Sequence, residues 1–223
     1  MADMPSGGFT TRATEFFAGL ESDNSKDYWT ANKAVFEKEV KEPMAALVDS
    51  LPERFQPFKV FRPNRDIRFS PDKSPYKTQH GAAHEADGTV YYVHLDAHGL
   101  MVACGAYMMS PDQLERYREA VAADGTGPAL EGILRELDER GIEVGHGMGE
   151  PLKTAPRGYP KDHPRVELLR QKAVSAHSRL AETSLHDANV VRQFVVDTFD
   201  ACEPLNDWIR SNVGSARTAS GRH

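Results

Sequence analysis

Two adjacent runs of alternating residues constrain the fold more than any other feature of this chain. Residues 89–97 read TVYYVHLDA and residues 100–109 read LMVACGAYMM, with a short connection around His98-Gly99. Alternation with a period of two is typical of a β-strand with one buried face, and so short a connection joins antiparallel neighbours. The sequence therefore predicts a β-hairpin, and with it an antiparallel sheet.

The two faces of the first strand of this hairpin differ in chemistry. One face carries large apolar side chains, namely Tyr91, Val93 and Leu95. The opposite face carries His94 between Tyr92 and Asp96, because successive side chains of a strand point to opposite sides. We therefore expect a core against the first face and a wetter environment on the second.

Helical periodicity on both sides of the hairpin sets the fold class. In the N-terminal half the predicted helices cover 9–20 and 26–42, and the second kinks or restarts at Pro43. The next two are 111–123 and a segment that contains Leu130 and Leu137 and ends at Gly141. Asp162 caps a further helix with Val166, Leu169 and Val174, and a long helix begins near Asp187. Residues 58–69 look extended, and we place 64–69 in the sheet. The sequence predicts a single α+β domain whose antiparallel sheet is covered by helices, with helical N-terminal and C-terminal segments.

Length and composition favour one domain with short tails. The 223 residues include 39% hydrophobic residues, enough for a core, and we assign 8–213 to the domain and 1–7 and 214–223 to flexible ends. No apolar run approaches the roughly 20 residues that cross a bilayer, so we predict a cytoplasmic protein without a membrane partner. The two cysteines are too few for a disulfide framework or a zinc knuckle.

Basic residues are concentrated in two segments, although the formal net charge is -6. Residues 57–79 and residues 151–172 each contain six basic and two acidic residues. An acidic remainder argues against a general polyanion-binding protein such as a DNA coat. Bringing the two segments together would create a focused positive potential, so we predict that they meet around one site.

Arg65 is the unusual residue of the first basic segment. In a strand it would share a face with Ile67 and Phe69, which are large and apolar. A lone buried guanidinium is costly, so Arg65 must be paired, stacked or aimed at a ligand.

Residues 62–76 carry a long and specific pattern, RxxRDxRFxxDKxxY. Three other stretches accompany it: GFTTRATEFFAGLESDNSKDYWTANKAVFEKEV, YYVHLDAHGLMVACGAYMMSPDQLERYREAV and PLKTAPRGYPKDHPRVELLRQK. Together they resemble a bacterial family known as domain of unknown function 2461, over nearly the whole domain. The resemblance implies membership of that family and no particular activity.

The leading hypothesis is a pocket that binds a small anion bearing phosphate or carboxylate, because arginine forks match such groups bidentately. The candidate residues are Arg62, Arg65, Asp66, Arg68, Asp72, Lys73, Tyr76, Lys77, His94, Lys153 and Arg157. Transfer or hydrolysis chemistry is compatible with such a pocket, since the same groups stabilise developing charge. The sequence shows no GxSxG nucleophile, and enzyme status stays open.

Two alternatives stay open beside this hypothesis. One is a nucleic-acid or protein-binding module with an open basic stripe, and nucleic acid is the less favoured partner. The other is a purely structural ion-pair network around Asp66 and Asp72. We predict no cofactor and no metal, because the four-residue spacing of His80 and His84 separates them by roughly 13 Å in a strand. The sequence carries no signal for an oligomeric state.

Overall fold

The computed structural model describes residues 8–66, 68 and 73–217. They form an α+β fold with a six-stranded antiparallel sheet, as predicted. The helices are α1 (Thr11–Ser22), α2 (Lys26–Val35), a π-helical turn (Phe36–Lys41), α3 (Glu42–Ser50), α4 (Pro111–Ala122), α5 (Gly127–Glu139), α6 (Val166–Arg170) and α7 (Ala188–Asn212), with 3₁₀ turns at Glu53–Phe55 and Glu182–Ser184. Among these described helices, none combines the length and apolarity needed to cross a membrane.

The sheet contains strands β1 (Lys59–Val60), β2 (His80–Ala86), β3 (Thr89–Asp96), β4 (Gly99–Ala106), β5 (Glu143–Gly145) and β6 (Val174–Ala181). Their order across the sheet is β1-β2-β3-β4-β6-β5. At one end, Lys59 of β1 lies opposite Ala83 of β2, and at the other Glu143 of β5 lies opposite His177 of β6. Both of these pairs are antiparallel.

The described residues divide into two compact units. Unit 1 contains residues 8–84, 92–102 and 179–197, and unit 2 contains residues 85–91, 103–178 and 198–217. Strands β2, β3, β4 and β6 and helix α7 contribute residues to both. The domain boundaries at 8 and 213 stay a prediction.

The predicted hairpin is confirmed as β3 and β4, connected by a turn at Ala97 and His98. A second hairpin precedes it, with Asp87 and Gly88 between β2 and β3. Both residues have positive φ, 51° and 83°, which is the backbone of a type I′ turn. Asp-Gly is a preferred sequence for this turn. The turn residues therefore indicated a hairpin that includes β2, although the side chains of β2 show no strand-like period.

The prediction of a strand over 64–69 is wrong for its described residues. Asn64 forms only an isolated bridge with Tyr76, and the regular strand of this segment is limited to β1. The Asp66 carboxylate accepts a hydrogen bond from the backbone N–H of Arg68 at 3.2 Å, and this local turn diverts the chain from a sheet. Ile67 and Phe69 lie outside the described residues.

The helix predicted to start at Asp162 and to carry Val174 is also wrong in its bounds. Helix α6 spans only Val166–Arg170, and Val174 begins strand β6. Pro164 keeps the residue before it out of helical geometry and has no N–H, so the helix begins beyond Pro164.

The chain was expected to kink or to restart its helix at Pro43, and the structure shows a change of helical winding just before this proline. Before this proline the chain widens into the π-helical turn, and the N–H of Glu42 donates to the carbonyl of Glu37. Phe36 and Val40 in the turn are buried, as is Met44 beyond it. The turn therefore keeps Phe36, Val40 and Met44 on one buried stripe through the change in winding before Pro43.

The core of unit 2 is built between a strand and the last helix. The Tyr91 ring of β3 packs edge-on against Phe199 of α7, with 5.1 Å between ring centroids. Cys104 and Cys202 are both buried, and burial raises the pKa of the Cys104 thiol well above its ordinary value. The Cys104 thiol therefore does not have the character of a nucleophile.

Candidate functional site

A continuous row of polar side chains in unit 1 is centred on one face of β3, with one residue just before β2 and one on β6. The row consists of Gln79, Tyr92, His94, Asp96 and Arg179, and we call it the polar row. Gln79 donates from its amide nitrogen to the Tyr92 hydroxyl at 3.0 Å. The rings of Tyr92 and His94 follow at 5.4 Å between centroids. The alternation of β3 places Tyr92, His94 and Asp96 on one face, as the sequence predicted.

Asp96 is the centre of the polar row. Its two carboxylate oxygens accept from the guanidinium of Arg179 at 2.7 and 3.0 Å, a bidentate pair. Oδ2 lies 3.0 Å from Nε2 of His94, and Oδ1 accepts from the backbone N–H of His98 at 2.8 Å. Asp96 therefore fixes a histidine ring, an arginine and the turn of the hairpin at once.

The environment of Asp96 keeps it ionised. Burial by itself would raise its pKa, but hydrogen bonds from His94, Arg179 and His98 outweigh burial and hold the pKa well below its usual range. An ionised carboxylate only accepts hydrogen bonds, so Nε2 of His94 carries the proton that faces it.

His94 is much less exposed than the wetter face expected from alternation. It is 4% exposed and Asp96 is 9% exposed. The second ring nitrogen of His94, Nδ1, is buried and has no hydrogen-bond partner among the described residues. Such a nitrogen typically costs about 1–3 kcal/mol unless something satisfies it, which makes it the unusual atom of the row.

Two basic residues lie at the other end of this face. The Lys77 ammonium sits over the ring of Phe61, 5.2 Å from its centroid, and the Phe61 ring lies 6.3 Å from that of Tyr92. Burial lowers the pKa of Lys77, and the nearby charge of Arg62 lowers it further. Within the described part of the chain, neither Lys77 nor Arg62 forms an ion pair.

The charge of Lys77 also affects the pKa of His80. His80 is buried on β2 against the ring of Phe36, 5.1 Å away. Burial lowers its pKa to about 4, with further contributions from Lys77 and Lys41. The field of these cations thus extends into the protein beneath them.

Asp66 and Arg68 form an exposed ion pair in the motif. The carboxylate accepts from Nε and Nη2 of Arg68 at 3.0 and 2.7 Å. These hydrogen bonds lower the pKa of Asp66 to about 2. Arg68 is therefore occupied by its own segment, which fits the structural alternative for this half of the motif.

Tyr76 is a buried anchor. Its ring stacks on Trp29 of α2 at 4.3 Å and 7°. The Asn24 side chain donates to the Tyr76 carbonyl and accepts from the Tyr76 N–H, both at 3.0 Å. Together these contacts attach the end of the motif to the N-terminal helices.

Replacing Asn24 with alanine should destabilise the protein by about 1–2 kcal/mol, because two hydrogen bonds are lost at one buried backbone unit. Amide exchange at Tyr76 should accelerate. Asn32→Ala removes only a contact within α2 and serves as the control. Equal unfolding midpoints in urea for the two variants would contradict the anchoring role.

A comparison with sequence families adds the classification. The sequence model of DUF2461, described as a conserved hypothetical protein, matches residues 12–208. The chain belongs to the DUF2461 family. Among curated proteins, none matches the chain.

The structure brings together only some of the residues predicted as a site in this DUF2461 chain. Arg62 approaches Lys77, and Asp66 pairs with Arg68, all in unit 1. Arg65 is half-buried, its backbone N–H donating to the Pro75 carbonyl at 2.9 Å. The remaining predicted residues are Lys73, which is exposed, Asp72, which lies outside the described residues, and Lys153 and Arg157, which are exposed in unit 2. The meeting of the two basic segments stays a prediction.

Sequence reasoning missed Arg179 as a member of the site. It lies 83 residues beyond Asp96, in a strand with the unremarkable sequence VSAHSRLA. The sequence signal for this contact was Asp96, because an aspartate that is buried beside a histidine on a strand face needs a cation.

A cavity of about 470 Å³ lies in unit 2, and none of the predicted site residues lines it. It is lined by Asp112, Glu115, Arg116, Glu119, Ala120, Asn212 and Arg217. Arg116 is already paired with Asp112 at 2.9 Å, and acidic residues outnumber basic ones. This cavity does not suit an anion.

Proposed function

We propose that this DUF2461 protein binds a small anion on the β3 face of unit 1, with Arg62 and Lys77 as its cations. One observation carries the proposal: the charge of Arg62 lowers the pKa of Lys77, and neither cation forms an ion pair among the described residues. Arg62 also lowers the pKa of Asp66, but that carboxylate is already paired with Arg68. Like charges held together cost free energy unless an anion joins them. A bound phosphate or carboxylate is the simplest compensation.

The surroundings of the two cations support a specific site. Lys77 is half-buried over an aromatic ring, where electrostatic attraction is stronger than in water. The guanidinium of Arg62 supplies a planar fork for two oxygens, and the ammonium of Lys77 supplies a point charge. Phosphate accepts both kinds of donor, so phosphate esters are the favoured class.

The test uses inorganic phosphate and the full chain. Phosphate is titrated into the ¹⁵N-labelled protein at constant ionic strength, and amide shifts report binding. Lys77→Gln and Arg62→Gln should each weaken binding about tenfold, the equivalent of about 1.4 kcal/mol for one charge-assisted contact. Lys33→Gln changes an exposed cation of α2 and serves as the control.

The outcomes separate the alternatives. Equal phosphate affinity in the native chain and both site variants overturns the proposal. If phosphate does not bind to the native chain, the alternative of a purely structural ion-pair network around Asp66 and Asp72 is favoured. Tighter binding of an oligonucleotide, with a steep loss at higher salt, favours the open basic stripe.

A further inference from the structure

Nδ1 of His94 is the polar atom of the row that the anion site leaves unused. The His94 ring is held from behind by an ionised aspartate, which is itself held by Arg179 and a backbone N–H. Such an arrangement fixes the ring orientation and its tautomer. With its one proton on Nε2, the ring would present a lone pair at Nδ1.

We propose that Nδ1 of His94 accepts a hydrogen bond from a hydroxyl group of the ligand, so that the bound anion is a polyhydroxylated phosphate ester such as a sugar phosphate. This inference rests on the anion site proposed above and names the ligand class of that same site. It uses the buried nitrogen that has no partner among the described residues. A ligand hydroxyl supplies the donor that this nitrogen requires.

The spatial order of the side chains on this face is compatible with an extended ligand. Lys77 lies on Phe61, Phe61 adjoins Tyr92, and Tyr92 adjoins His94. The phosphate would lie at the cations, the carbon skeleton along the two rings, and a hydroxyl at the imidazole. Apolar surface with a few directed polar groups is the usual composition of a small-molecule site.

Access to Nδ1 requires a movement. The nitrogen is covered in the free protein, and the half-buried ring of Tyr92 lies next to the imidazole. Binding would therefore require the Tyr92 ring to turn aside and to give up its hydrogen bond from Gln79. The ligand hydroxyl would stay protonated when it first binds.

The test compares two phosphate esters that differ only in polarity along the ring. Glucose 6-phosphate carries hydroxyl groups, and cyclohexylmethyl phosphate has a six-membered ring without them. The native protein should bind glucose 6-phosphate about tenfold more tightly, the value of one good hydrogen bond. His94→Gln should abolish this difference and leave the affinity for cyclohexylmethyl phosphate unchanged, and His186→Gln, an exposed histidine of unit 1, should change neither.

The outcomes distinguish this inference from the anion site. If the native protein binds both esters equally, or if His94→Gln weakens both alike, the hydroxyl contact is overturned and the anion site stands. If phosphate binds and neither ester does, the ligand class is overturned. If Lys77→Gln changes the affinity for neither ester, the anion site itself fails.

A second measurement needs no variant. In the native protein with ¹⁵N-labelled histidine, the free His94 ring should show a protonated Nε2 and an unprotonated Nδ1. The Nδ1 resonance should move when glucose 6-phosphate is added and stay unchanged with cyclohexylmethyl phosphate. A proton on Nδ1 in the free protein, or the same shift with both esters, overturns the inference.

Discussion

Replacing Asp96 with asparagine should lower the free energy of unfolding at neutral pH by about 3 kcal/mol, because it leaves a buried histidine and an arginine without their shared anion. The asparagine amide has nearly the same volume, so packing loss contributes little. The measurement is urea unfolding of native and variant protein, compared at equal m-value. Asp66→Asn breaks an exposed pair and should leave the midpoint nearly unchanged.

The Asp96 effect should also depend on pH with a defined sign. The folded pKa of Asp96 lies below its unfolded value, so the carboxylate stabilises the fold above that unfolded value. This contribution decreases as the pH falls below about 4, the ordinary aspartate range. The stability difference between native protein and Asp96→Asn should therefore shrink in acid. A difference that is the same at pH 7 and pH 3 would contradict this account.

Replacing Arg165 with methionine should destabilise the protein by about 2–3 kcal/mol. Arg165 is 7% exposed, and its guanidinium donates to the carbonyls of Val121 and Ala122 at 2.6 and 2.9 Å, at the end of α4. Methionine keeps an apolar stem of similar length but leaves these carbonyls unsatisfied.

The matched control is Arg157→Met, which changes an exposed cation of the same basic segment. Thermal and urea unfolding should show a large shift for Arg165→Met and a small one for the control. Shifts of equal size would show that the α4 carbonyls do not need Arg165. One of the six cations of residues 151–172 is thus a helix cap, so local charge alone overstates what this segment offers to a ligand.

The sequence predicted the elements with strong local signals. The capping box of Ser110 and Gln113 marks the start of α4, and alternation marks β3 and β4. Strands β2 and β6 were missed because their alanine, serine and histidine residues have weak β-propensity and show no clear period. Pairing with neighbours, rather than intrinsic preference, places these residues in the sheet.

The sequence predicted the residues that β3 contributes to the candidate site, but not the contribution of β6. Alternation placed Tyr92, His94 and Asp96 on one face because this needs only neighbouring residues. The burial of His94 and the contact with Arg179 depend on a distant strand, which periodicity does not locate. Tyr76 was assigned to the ligand because of its place in the motif, whereas its ring lies on Trp29.

The π-helical turn at Phe36–Lys41 connects α2 to α3. The number of residues in this turn therefore matters to the burial of α3 as much as the type of residue does. Phe36, Val40 and Met44 are spaced by four, and an α-helix would rotate each successive side chain about 40° around its axis. The wide turn cancels this drift. Loss of one residue here would turn all of α3 by about 100° and expose apolar side chains, so the segment sets the phase between two halves of a single helix.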